Sequence, residues 1–412
     1  VAFQDFSLHA AFVSREKGVP TGAWGTMFGD TRTSTNDDRG YLELKYKHNF
    51  EEEIGLQARL YYDHYKYRAY YIYGPPDFTE TTVYTDRSWG EWLGCEVQAT
   101  KTLYEKHKIT AGVEFQDHLR QDMRFEDPSD VYLDDKRTST NWAAYAQGEI
   151  RALEDLLINA GLRHDHYKTF GGTTNPRLAA IYNLFGKTNL KALYGIAFRA
   201  PNNYELYYQD NGTSQEANPD LKPETISTYE AVLEQGIGES LRATVSGFYY
   251  DTRDLIVQEV DPADGLYIYK NVGEVDAKGT EMELDGRWDI LEGRLSYTYQ
   301  DARDKKTKSA LQNSPTHMAK LSMSAQVIEK LSVNPEIQFM SKRKTKGTDA
   351  KGYALVNLTL LSQDLVKSLT LSASIYNVFD TKYWDPGTEG IHVMDIIRQD
   401  GRSFRLKLTY GF

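Results

Sequence analysis

The residues best suited to chemistry in this chain are few, and each has a competing structural account. His164 and His166, two apart in "GLRHDHY", have the donor type and spacing for a metal pair. On a strand they share a face with Ala160 and Leu162 while Arg163 and Asp165 take the other, so outward interfacial rings explain them better. The acidic stretch "FEDPSDVYLDDKR" offers Asp127, Asp130, Asp134 and Asp135 as oxygen ligands but lacks the spaced carboxylates and central glycine of a calcium loop. No metal site is expected. No nucleophile elbow, phosphate-binding glycine loop or HExxH pair is present, so neither a cofactor nor catalysis is expected. Binding is a better use of what remains. Tyr204, Tyr207 and Tyr208, followed by Asp210, lie in a polar run of about twenty residues almost without aliphatic side chains, and could present an aromatic platform to a ligand or pack within their own loop. The basic run "SKRKTKGTDAK", with Lys342, Arg343, Lys344 and Lys346, could attract an anionic ligand or the phosphates of a lipid surface; as a loop tip it also reads as solvated charge.

The elements that carry these residues are strands. Period-two alternation runs from end to end: in "GRLSYTYQD" Leu295, Tyr297 and Tyr299 face one way and Arg294, Ser296, Thr298 and Gln300 the other. "RALEDLLINAG" reads as a tight turn at Glu154 and Asp155 followed by a strand. About eighteen strands are expected. Their connections fall into short and long classes that alternate strictly, the long ones being Arg15 to Gly40, Glu126 to Ser139, Ala200 to Lys222, Thr252 to Gly265, Arg303 to Ser314, Ser341 to Gly352 and Thr381 to Asp400. A chain of 412 residues with 30 Tyr, 12 Pro and a mean hydropathy of -0.60 has no apolar run long enough for a membrane helix, but such averages are blind to strands that face lipid on one side only. The net charge of -11 argues against nucleic acid as a partner. The single cysteine, Cys95, alternates in phase with Leu93, Val97 and Ala99 and is expected on an apolar face.

The fold expected is therefore all-β: a transmembrane, antiparallel, up-and-down β-barrel in a bacterial outer membrane. The last residues agree, because Phe404, Leu406, Leu408, Tyr410 and Phe412 share one face and end the chain on an aromatic ring, similar to the signal read by the barrel-assembly machinery.

Longer motifs sharpen this. "GIAFRAPNNYELYY" with "ANPDLKPETISTYEAVLE" resembles the FRAP and NPxLKPE elements of TonB-dependent outer-membrane receptors. "NVGEVDAKGTEMELDGR" resembles a further pattern of that family, carried by Asn271, Gly273, Gly279 and Glu281. Two late-strand patterns follow, with Pro315, His317, Asn377, Phe379 and Tyr383 in the matching places. The resemblance implies that residues 1–412 are the later part of a twenty-two-stranded barrel, without its first strands, its N-terminal plug or the segment that engages TonB. No signal peptide opens the chain, so either a leader has been removed or the sequence begins inside a larger protein. The implied function is energised import of a scarce nutrient, a ferric siderophore or cobalamin; haem is disfavoured because no histidine lies between the FRAP and NPxL elements. Arg199, inward by alternation with Phe198, is expected to face the plug, and Tyr204, Tyr207, Tyr208, Asp210, Lys342 and Arg343 are the candidate ligand contacts of the external loops. Lipopolysaccharide is a further expected partner for the basic run. The alternatives are a passive channel or porin, and a surface-binding component of an outer-membrane complex.

Overall fold

The computed structural model describes residues 2–50, 53–75, 79–366, 368–388 and 391–411. Among them are eighteen strands of eight residues or more, from Phe6–Gly18 to Ser403–Tyr410, which matches the number read from the alternation. Successive long strands are neighbours in a meander, antiparallel from Phe6–Gly18 to Leu156–Tyr167 and from Tyr267–Trp288 to Ser403–Tyr410, and a two-residue parallel register sets Gln215–Glu216 beside Tyr267–Ile268. Helical structure among the described residues is confined to one 3-10 turn, Ala23–Gly25, and one α-helix of five residues, Asn203–Tyr207.

Register explains why the pattern works. Ile54–Tyr73 pairs with Thr82–Leu103 over its whole length, from Ile54↔Lys101 to Tyr73↔Thr82, and this sets Leu60 beside Cys95 on one face and Arg59 beside Glu96 on the other. Leu60, Leu93, Cys95 and Val97 are exposed, an apolar band that only a lipid environment makes favourable. The opposite face is a continuous polar network. Arg59 donates to Glu96 at 2.6 Å and Glu114 at 3.2 Å, Tyr145 donates to Glu96 at 2.6 Å, and Arg163 donates to Glu114 at 3.0 Å. Trp142 stacks near His166 with ring centroids 5.5 Å apart while Asp165 is buried on the other side with Arg163, which bears out the outward reading of both histidines. Among the described residues no group of three or more acidic, histidine or cysteine side chains could hold a metal ion.

The chain forms two compact units. One comprises Val1–Ala180, Tyr194–Ser227 and Thr252–Glu274; the other comprises Ile181–Leu193, Thr228–Asp251 and Val275–Phe412. In the first, strands reach 20 and 22 residues, twice what a tilted bilayer crossing needs, so their ends rise well beyond the apolar band. In the second, Lys191 pairs with Glu234, and Arg242 and Arg294 share Asp285.

Three expectations about connections need correction. The loop expected from Arg15 to Gly40 is narrower, because Phe6–Gly18 and Ser34–Phe50 stay paired as far as Gly18↔Ser34. The strand Leu241–Val260 runs through most of the stretch expected as a loop over residues 252–265; Asp254, at φ 56°, forms a left-handed break that interrupts the alternation without ending the strand. Short and long connections do not alternate strictly, because Leu156–Tyr167 and Gly171–Asn183 are joined at the long-loop end by only three residues, with Gly171 at φ 91°.

On the polar face the phenol end of Tyr61 lies over Gly94 and that of Tyr145 over Gly112, each occupying the space a Cβ would need. Gly94→Val is therefore expected to expel Tyr61 and cost about 1–3 kcal/mol, read as a lower temperature for loss of the folded, fast-migrating form on semi-native gels; an unchanged transition would contradict this packing.

Candidate ligand-binding site

Above the apolar band, the inner face of the first unit becomes aromatic. In "YKYRAYYIY" every second residue from Tyr65 to Tyr73 faces inward, and register sets Ala69 opposite Asp86, Tyr71 opposite Tyr84, and Asp86 opposite Phe125. The outward row beside them is Arg68, Arg87 and Arg124, which places this level outside hydrocarbon. Tyr84 stacks on Phe125 at 5.4 Å, and Tyr73 meets Tyr84 edge-on at 5.3 Å. Asp86 sits half-buried in this wall, and burial pushes its carboxyl up to about 7.

The segment from Ala200 to Lys222 folds against the wall because its ends and middle are fixed. Asn202 accepts a hydrogen bond from the Glu205 backbone N–H while the Glu205 carboxylate accepts from the Asn202 N–H, a capping box that starts the short helix. Arg199 clamps the segment by donating to Glu205 at 2.9 Å and to Glu224 at 2.7 Å. Burial raises the Glu224 carboxyl, but the Arg199 guanidinium and the Ile256 N–H outweigh it and hold the group below its usual range. Asn271 bridges three backbone groups, accepting from Lys222 N–H and donating to the carbonyls of Lys222 and Asp254.

The sequence candidates therefore part company. Tyr208 is only 9% exposed, packed with Met123 and Leu133 as a core residue, whereas Tyr204, with its ring 4.4 Å away, remains 40% exposed. Tyr207 is covered by the Arg137 guanidinium at 3.5 Å. Asp210 turns into its own loop, accepting from the N–H groups of Thr213, Ser214 and Gln215 and from the Ser214 hydroxyl. Tyr204 borders a cavity of about 430 Å³ whose wall includes Tyr65, Trp89, Trp92, His118 and Asn203. Those five, with Asp86, escaped sequence reading; the tyrosine alternation of the strand from Tyr65 to Tyr73 was the available signal. In the second unit Lys342 is largely exposed, but Arg343 is buried, donating to Asp385 at 2.6 Å, to the Trp384 carbonyl at 3.1 Å and to Asn313 at 3.2 Å. Phe404, Leu406, Leu408 and Tyr410 form one exposed face of their strand; Phe412 lies outside the described residues.

A family model described as TonB dependent receptor-like, beta-barrel, matches residues 3–378. The chain belongs to the TonB-dependent receptors. It is an outer-membrane receptor of the class that imports nutrients with energy delivered through TonB. It is 27% identical to the vitamin B12 transporter BtuB of Vibrio cholerae serotype O1, over 92% of this chain and 68% of that protein. It is 25% identical to the ferric enterobactin receptor of Pseudomonas aeruginosa over 66% of this chain and 42% of that protein. A crystal structure of the latter receptor superposes with a TM-score of 0.81 at 19% identity, covering 100% of this chain and 68% of that one, and so shares the fold.

The family motifs have physical reasons in this receptor. A Cβ at Gly279 would strike the Tyr299 carbonyl and the Phe248 ring, and one at Gly273 would strike Leu255. Asn377, at φ 50° and buried, closes a turn by accepting from Thr381 N–H at 2.8 Å and donating to the Thr381 carbonyl at 2.9 Å. The His317 N–H donates to the Ser341 hydroxyl at 3.0 Å, and Tyr383 packs on Tyr353 at 4.6 Å.

Arg199→Ala would leave Glu205 and Glu224 with no shared counter-charge. Limited proteolysis within residues 200–222 is expected to become several-fold faster. The wild-type loop should show the same loosening on acidification below about pH 4, because a depressed carboxylate stabilises above its unfolded pKa and loses that contribution as pH falls. Equal cleavage of variant and wild type at neutral pH would contradict the clamp.

Proposed function

We propose that residues 1–412 are the barrel part of a receptor for cobalamin, and that the whole receptor carries a plug and a TonB-engaging segment ahead of Val1. The observation that carries this reading is the alignment with a vitamin B12 transporter along 92% of the chain. The electrostatics of the candidate site support it. Arginines on its rim are neutralised locally: Arg87 by Glu126 at 2.9 Å, Arg124 by Glu126 and Asp134, Arg120 by Asp122, Arg137 by Asp135, and Arg199 by Glu205 and Glu224. Arg68, in the same outward row as Arg87 and Arg124, points away from the cavity, so a trianionic ferric catecholate would meet little surplus positive charge on the inward side, whereas a bulky ligand of low net charge needs aromatic area and carboxamide partners.

A ferric siderophore is the second reading, favoured by 26% identity over 67% of the chain to the iron-regulated outer membrane virulence protein of Vibrio cholerae. Within either reading Tyr204 is the leading ligand contact and Tyr207 a weaker one. Tyr208 and Asp210 act by holding the loop, and Arg199 by positioning its base on the plug side. Lys342 and Lys344 are the candidate contacts for lipopolysaccharide phosphates, with Arg343 anchoring their loop. The exposed face of Phe404, Leu406, Leu408 and Tyr410, together with Phe412, is the proposed assembly signal. No catalytic role is proposed.

The test is growth of a cobalamin-dependent strain, stripped of its own cobalamin receptor, that expresses the full-length protein at limiting cyanocobalamin. Rescue that needs TonB is expected, and Tyr204→Ala should raise the cyanocobalamin needed for half-maximal growth roughly tenfold, the value of one buried aromatic contact. Rescue by ferric siderophores but not by cyanocobalamin would overturn the assignment in favour of iron. TonB-independent rescue would favour a passive channel.

A further inference from the structure

The first unit holds a half-buried carboxylate among tyrosine rings without giving it a cation. Asp86 lies between Ala69, which is 0% exposed, and Phe125 on the inner face. Flanking it on the neighbouring strand are Tyr67 and Tyr71, whose hydroxyls meet at 3.0 Å. The loop from Ala200 to Lys222 adds Tyr204 and Tyr208 from above, near enough that their hydroxyls and those of Tyr67 and Tyr71 interact electrostatically with Asp86. Among the described residues no lysine, arginine or histidine is paired with Asp86. Its neighbour Arg87 points to the opposite face and is spent on Glu126 at 2.9 Å. Asp210, the other charged group near Tyr204 and Tyr208, has the same sign as Asp86 and is enclosed by its own turn.

A carboxylate in such a place either takes up a proton or is held ionised by a positive partner. The surroundings specify what kind of cation that is. Hard metal ions need several oxygen ligands, and no such cluster exists among the described residues. Tyrosine faces are instead electron-rich platforms that attract alkylammonium groups, with Asp86 supplying the formal countercharge. Asp86 is itself partly exposed, and beside it lies the cavity of about 430 Å³, whose wall includes Ser88 and its partner Met123, one step along the sheet, and Tyr204 from the loop. We propose that Asp86 and the tyrosines around it form a subsite for a small alkylammonium cation, beside this cavity and sharing Tyr204 with it. The proposal is independent of the cobalamin assignment, because its measurement involves neither cobalamin nor transport.

The probe is choline, titrated into the purified full-length receptor in detergent at constant ionic strength and followed by calorimetry and by tryptophan fluorescence. Its uncharged carbon isostere, dimethylbutanol, serves as the control. Saturable choline binding is expected, with the isostere weaker by roughly tenfold or more. Asp86→Asn, which keeps shape and removes charge, should weaken choline by a similar factor while leaving the isostere unchanged. Tyr204→Leu, exposed enough to be replaced without unfolding the loop, should weaken choline as well. Absence of saturable choline binding to the wild type, equal affinity for choline and isostere, or unchanged choline binding by Asp86→Asn in a receptor that retains its folded gel mobility would each overturn the proposal.

Discussion

Everything in this receptor follows from the cost of an unpaired backbone N–H or C=O inside a lipid bilayer. A strand cannot satisfy these groups alone, so each must lie between neighbours, and the chain achieves this by antiparallel pairing of successive segments along most of its length. Pairing fixes two faces, and period two then divides side chains between lipid and interior. The exposed Leu60, Cys95 and Val97 and the enclosed network of Arg59, Glu96, Glu114 and Tyr145 are the two products of one register. Reversing a single step of that register would put arginine and glutamate into hydrocarbon, which is why the alternation is so persistent.

The same strands become a binding scaffold simply by continuing. Beyond the apolar band the outward positions turn to arginine and glutamate, and the inward ones turn to tyrosine. A wall built on strands that are already paired holds its rings in fixed places, and the loop from Ala200 to Lys222 is fastened to it at Arg199, Asn202 and Asn271. The site thus has rigid sides and one polar, tethered cover, an arrangement suited to recognition of a bulky solute.

How much of this was legible in the sequence depended on the range of the interactions. The eighteen strands, the turn at Glu154 and Asp155 and the outward histidines were readable because each depends on local alternation. The strand through Asp254 was not, since a left-handed break looks like a loop until the pairing of its neighbours is known. Tyr204, Tyr207 and Tyr208 look equivalent in sequence, yet one borders a cavity, one lies beneath Arg137 and one is core. Asp210 and Arg343 read as available charges, whereas each is consumed by backbone or carboxylate partners that only the folded loops bring close. Asp86 was invisible for the complementary reason: its isolation is a property of the rings around it.

The position of Cys95 carries one more implication. It is the sole thiol of these 412 residues, it projects outward among Leu93 and Val97, and it stands on a strand paired along both sides. A spin label attached there would sit in the acyl chains at a depth set by the sheet rather than by a mobile linker. Its collision rates with oxygen and with a water-soluble relaxing agent would then calibrate how deeply the receptor is seated in its membrane.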